Sequence, residues 1–130
     1  MVESILHVDR IEKPGGAPVE LTGQSAAKAW ANLNPLNSLL RDSFNVSSFT
    51  DNGTGDQTFN LTNAMVNGNY SCSTGHQSQS YNFGYNAPSC WIYEYTTLAV
   101  PTRTSYTADS GGAARYDALT VNISIHGDLA

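Results

Sequence analysis

Residues 43–63 read SFNVSSFTDNGTGDQTFNLTN. The centre, DNGTGD (51–56), gathers residues that favour turns. Gly53 and Gly55 can adopt positive φ, and Asp51 and Asn52 tolerate tight turns. The flanks alternate apolar and polar side chains, which predicts a β-hairpin closed by a longer, Gly-containing loop. Pairing Thr50 with Gln57 sets Ser48 opposite Phe59, Val46 opposite Leu61 and Phe44 opposite Asn63. That register puts Phe44, Val46, Phe59 and Leu61 on one face, as a sheet with one buried side requires. A slip by one residue would send one strand's apolar set to the other face. Phe49 interrupts the alternation, so it is expected on the opposite face, toward a second sheet, a neighbouring subunit or solvent.

Outward from the hairpin, LTVNISIHG (119–127) is the cleanest strand pattern: Leu119, Val121, Ile123 and Ile125 face inward, and Thr120, Asn122 and Ser124 outward. CWIYEYTTLAV (90–100) reads as a strand with Trp91, Tyr93 and Tyr95 alternating against Ile92 and Glu94, and PTRTSYTA (101–108) as a further extended run. NYSCS (69–73) opens another strand after the NGN turn signal, with Tyr70 and Cys72 on one face. LTGQSAAKAWANLN (21–34) fits a short helix capped by Ser25 or a strand with an irregular start, and the strand is preferred; Pro35 ends either. Residues 76–89 and 108–118 lack a strand pattern and are expected to be outward-facing loops. VESILHVDRIE (2–12) reads as an extended arm, followed by the KPGGAP turn (13–18). Short strands at regular spacing predict an all-β fold, a β-sandwich or small barrel-like domain over 19–130 with an extended N-terminal arm over 1–18.

The chain has 130 residues, enough for one domain with a core. Only 13% are charged, about half the ordinary share of roughly 25%. Net charge is −5, and the six basic residues, at 10, 13, 28, 41, 103 and 115, are scattered along the chain. A nucleic-acid partner needs a clustered basic face, so none is expected. No apolar run approaches the ~20 residues that cross a bilayer, and membrane insertion is not expected. The N-terminus lacks a basic start followed by a long apolar core, so no signal peptide is expected and the chain is read as made in a cytoplasm. In that setting Cys72 and Cys90 are expected to stay reduced.

Little in the sequence suggests chemistry. There is no G-x-S-x-G elbow for a nucleophile. His7, His76 and His126 are far apart and read as surface or strand-end residues; with the two cysteines they match no zinc spacing. Asp51 and Asp56 flank one turn, where Asp is common; sharing a calcium ion is the less favoured reading, and the spacing is not that of an EF-hand. No cofactor and no catalytic activity are expected. In YNFGYNAPSCWIY (81–93), Phe83, Trp91 and Tyr93 are read first as core or interface residues and second as an external binding surface.

Three stretches, SAAKAWANLN (25–34), RDSFNVSSFTDNGTGDQTFNLTNAMVNGNYS (41–71) and DALTVNISIHG (117–127), resemble a family of small bacteriophage virion proteins and fibre C-terminal domains. Leu6, Val8, Asp9 and Ile11 match that family's L-x-V-D-x-I start, while Ala31, Leu33 and Gln57 depart from its pattern. The resemblance implies a non-enzymatic structural protein of the virion, a tail fibre or host-receptor-binding tip. The alternative it implies is a capsid decoration or cement protein that stabilises the phage head. It also implies a homotrimer, contacts with other phage tail or capsid proteins, and recognition of a host surface glycan or protein. Contacts with other subunits or the particle are expected from Leu6, Val8, Ile11, Trp30 and Phe49. The receptor-facing loop is expected to carry His76, Tyr81, Phe83 and Tyr85.

Overall fold

A computed structural model describes residues 26–78, 88–107 and 111–130. Among these residues nine strands follow in order: β1 (Ala29–Asn34), β2 (Leu39–Phe44), β3 (Val46–Asp51), β4 (Asp56–Leu61), β5 (Ser71–Gln77), β6 (Ser89–Ile92), β7 (Ala99–Thr107), β8 (Ala113–Arg115) and β9 (Thr120–His126). A single 3-10 turn, Pro35–Asn37, joins β1 to β2. The strands form two antiparallel sheets, β2-β1-β9-β5 and β3-β4-β7-β6, with β8 added beside β7. The fold is therefore all-β, a sandwich with barrel-like curl. The expected arm, with Leu6, Val8 and Ile11, lies outside the described residues, as do Tyr81, Phe83 and Tyr85.

From Val121 to Ile125 the alternation in β9 works as the sequence predicts, whereas Thr120, expected outward, is buried. Val121, Ile123 and Ile125 point inward and are buried. They pair with Leu33, Ala31 and Ala29 of β1, whose period of two settles the 29–34 segment as strand. Phe59, Leu61 and Val100 cover them from the other sheet. Phe59 is fully buried, and burying a side chain of that size contributes about 1.5–3 kcal/mol.

The hairpin forms, but not in the predicted register. At its tip Asp51 pairs with Gln57, Thr50 with Thr58, Phe49 with Phe59 and Ser48 with Asn60. A bulge at Ser47 then restores Val46 to Leu61. The extra residue lets Val46 and Phe49, three apart, both point inward. Phe49 thus packs against the core, not on the opposite face. Phe44 belongs to β2 in the other sheet and pairs with Trp30, not with Asn63. Asn45, with φ of 55°, turns the chain between the sheets; Asn is among the few residues that tolerate this conformation.

Three other expectations are corrected. The 90–100 strand is a hairpin: β6 stops at Ile92 and β7 starts at Ala99. The Thr96 hydroxyl accepts from Ala99 N–H (3.0 Å) and lies 2.8 Å from its carbonyl oxygen, a local clip that competes with ladder pairing. Residues 113–115 form β8 in place of loop. His76 is in β5, paired with Val121, and not in a loop. It points inward, with its ring 6.4 Å from that of Tyr116; the inner face of β5 is polar, which hides the strand from a hydrophobic pattern.

Cys72 and Cys90 are free thiols on the inner faces of β5 and β6. Burial pushes both pKa values up to about 11. Thr74 Oγ1 donates to Cys90 O at 3.0 Å and ties the two sheets together along that side.

Candidate functional site

The DNGTGD turn is anchored on both sides. Asp51 Oδ1 accepts from Gly53 N–H at 2.9 Å, and Asn52 and Asp56 close the turn through Asn52 N–H to Asp56 O at 2.9 Å. Gly55 is buried with φ of 63°, and a Cβ there would lie 2.6 Å from Thr104 O and 2.8 Å from Tyr116 O. Its N–H donates to Asp117 Oδ1 (2.8 Å), and its carbonyl accepts from Thr104 N–H (3.0 Å). The turn is thereby fixed to β7 and to the segment after β8, and Asp56 leaves it in a fixed direction.

Register does the rest. Gln57, Phe59 and Leu61 are buried against the core, so Asp56 projects to the outer face of the second sheet. Asp56 pairs with Arg103 of β7, and Arg103 pairs on its other side with Trp91 of β6. Where β4 begins, β8 continues along the same edge of β7, with Ser105 opposite Arg115. Residues 56, 91, 103 and 115 are thus brought together.

The geometry is dense. Asp56 Oδ2 accepts from Arg103 Nε at 2.9 Å and Arg115 Nη1 at 3.1 Å. Oδ1 accepts from the Tyr93 hydroxyl at 3.1 Å and Asn52 Nδ2 at 3.3 Å. The Arg103 guanidinium also lies over the Tyr93 ring, 3.8 Å from its centroid, a favourable cation–π geometry. Burial pushes the Asp56 pKa up, but the hydrogen bonds from Arg103, Tyr93 and Asn52 and the charge of Arg103 outweigh it and hold the carboxyl below its usual range. Tyr93 moves the other way, raised by burial and by its bond to that carboxylate.

This carboxylate suits structure better than acid–base catalysis. A general acid or base near neutral pH needs a raised carboxyl pKa and a lone pair aimed at substrate. Asp56 has a lowered pKa and four donors on two oxygens. Its role is to hold four side chains in place. The carboxylate side chain is 6% exposed, against 32% for Arg103 and 49% for Arg115. Trp91 and Tyr93 are each 39% exposed beside them. The surface is therefore a pair of guanidinium groups flanked by aromatic rings, with their counter-charge beneath.

Sequence reasoning missed this cluster. It counted the basic residues as scattered, but Arg103 and Arg115 converge on one carboxylate. Of the two roles first read for Trp91 and Tyr93, core or interface, the core role is corrected, since both lie on the outer face. Asp56 is more than a turn residue. Among the described residues no group of three His, Cys, Asp or Glu comes together as a metal site. Among the described residues, the sequence-predicted contact residues Trp30, Phe49 and His76 do not converge. Trp30 stands half-exposed on the outer face of the first sheet beside Phe44, Phe49 packs on the core and His76 points inward. A polar recess of about 220 Å³ lies apart from the cluster, between residues 66–70 and 127–128, below the ~300 Å³ at which small-molecule pockets begin.

No protein-family model, curated protein or solved structure matches the chain.

Proposed function

We propose that the chain is a non-enzymatic structural protein of a bacteriophage virion, carried as a tail fibre or receptor-binding tip, that touches the host surface through the outer face of the five-stranded sheet. The virion setting rests on the resemblance of residues 25–34, 41–71 and 117–127. The observation that supports a contact role is the Asp56-centred cluster. Trp, Tyr and Arg are the side chains that most often dominate binding energy, and here Tyr93, Arg103 and Arg115 are held before any partner arrives, which lowers the entropic cost of association. In the homotrimer that this reading includes, the Trp30–Phe44 pair is an exposed apolar feature of the first sheet open to a second copy.

Quantitative mass spectrometry of purified virions tests the proposal. A small number of copies relative to the major capsid subunit supports a fibre or tip. Near-stoichiometric copies would replace that reading with a capsid decoration protein, and absence from the particle would overturn both.

A further inference from the structure

The contact face has a chemistry that narrows its ligand. The chain carries a net charge of −5, so its overall field disfavours anions. Among the described residues the basic side chains are Lys28, Arg41, Arg103 and Arg115. Arg41 is occupied on the other sheet, donating to Asn32 Oδ1, Thr120 Oγ1 and Leu119 O. Arg103 and Arg115 are directed differently. Each places one nitrogen on the shielded Asp56 carboxylate. A guanidinium has five N–H donors in a planar fork, so the exposed edge of each still faces outward. With the carboxylate below and the guanidinium groups above, the local dipole is positive toward solvent.

Trp91 lies directly across the ladder from Arg103, and adjacent strands are about 4.8 Å apart. An aromatic platform therefore stands one strand away from a paired-arginine anion site, a separation of the order of one monosaccharide. Arginine forks match carboxylate geometry and are weakly hydrated, and a Trp ring offers apolar area with few rotatable bonds. Glu94 sits beside Tyr93, and its charge acts on that phenol. An anion is repelled at that rim and favoured on the Arg115 side.

We infer that the Trp91–Arg103–Arg115 face binds an acidic saccharide, with a sugar ring stacked on Trp91 and its carboxylate received by the two guanidinium groups. The inference deepens the reading of this face as the host-contact surface and rests on it.

The test uses the full chain, labelled with ¹⁵N, and follows the two indole N–H signals during titration with glucuronate and, separately, with glucose. Trp30 is on the outer face of the other sheet and serves as the internal control. Glucuronate is expected to shift Trp91 and leave Trp30 in place. Glucose should bind about tenfold more weakly, because it lacks the charge-assisted bonds. Arg115→Ala should reduce the response to glucuronate to that of glucose, and Arg115→Lys should restore part of it; an unchanged Trp30 signal shows that each variant is folded. Equal responses to the two sugars, equal shifts of both indoles, or no shift at Trp91 at millimolar glucuronate would overturn the inference, the last pointing to a protein ligand instead. These outcomes are separate from the virion count: a chain present on the particle but silent toward glucuronate removes the saccharide inference alone.

Discussion

Asn45 and Asn63 are joined like partners in a sheet although neither lies in a strand. Asn45 Oδ1 accepts from Asn63 N–H at 2.8 Å and from Asn63 Nδ2 at 3.0 Å, and Asn45 Nδ2 donates to Asn63 O at 3.2 Å. The Asn45 carbonyl also accepts from Thr62 N–H at 3.1 Å. An amide side chain thus replaces the ladder at the corner where the chain crosses from the first sheet to the second. Asn45→Ala would lose these side-chain bonds and place a Cβ residue without a compensating amide at positive φ. We expect a loss of about 2–3 kcal/mol in urea unfolding. Asn45→Gly relieves the backbone but not the lost bonds, and should fall between the two. A glycine variant as stable as the parent would mean that the clip contributes nothing.

Gly55 and Gly53 separate two effects within one turn. Gly53→Ala meets no atom within 4 Å but stands at φ of 114°, so its cost is backbone strain alone, about 1–2 kcal/mol. Gly55→Ala adds a collision with the carbonyls of Thr104 and Tyr116, and about 3 kcal/mol or more is expected. Thermal unfolding of the two variants gives the comparison. Equal losses would show that β7 and the segment after β8 yield easily to the intruding methyl group.

Asp56 makes the fold sensitive to acid. Its folded pKa is lowered, so its stabilising contribution is present above the unfolded value, about 3.9, and is lost as pH falls through the folded one. Asp56→Asn should be less stable than the parent at pH 7, with the gap closing as both are acidified. A gap that stays constant down to low pH would mean that packing, not charge, accounts for the residue. The same substitution should loosen Arg103 and Arg115 and weaken glucuronate binding without removing Trp91.

Cys72 and Cys90 behave in the opposite sense. Their folded pKa values are raised from 9.0 to about 11, so the stability they contribute is present below 9 and falls as pH rises through that window. Cys72→Ala and Cys90→Ala should each flatten the alkaline limb of the stability profile. In the native state at pH 8 both thiols should react slowly with a thiol reagent, and both should react promptly in denaturant. Rapid labelling of the native protein would contradict their packing against the core.

The sequence is most informative where apolar residues keep strict time. β9 and β1 could be read by alternation, because each buries one face against the other sheet and exposes the other. The hairpin could be located but not registered, since the bulge at Ser47 leaves no compositional mark and yet decides whether Phe49 faces in. Residues 90–100 read as one strand because Trp91, Tyr93 and Tyr95 alternate, whereas the break is made by a hydroxyl at Thr96 that hydrophobicity does not register. His76 reads as loop in the sequence because the inner face of β5 is polar. The arginine cluster was the least visible feature. Arg103 and Arg115 lie 47 and 59 positions from Asp56, and only the pairing of β4, β7, β6 and β8 makes them neighbours.

The place of β9 has a consequence for how the chain is made. Among the strands of the described residues it is the last to be synthesised, yet it lies between β1 and β5 and pairs with both. On the ribosome, β1 and β5 must wait with unpaired edges until Val121, Ile123 and Ile125 emerge. Such distant pairing slows folding and leaves the nascent chain open to aggregation. The second sheet meets no such delay in its β3–β4 hairpin. Translation therefore imposes an order, with that hairpin available early and the first sheet sealed only when β9 arrives.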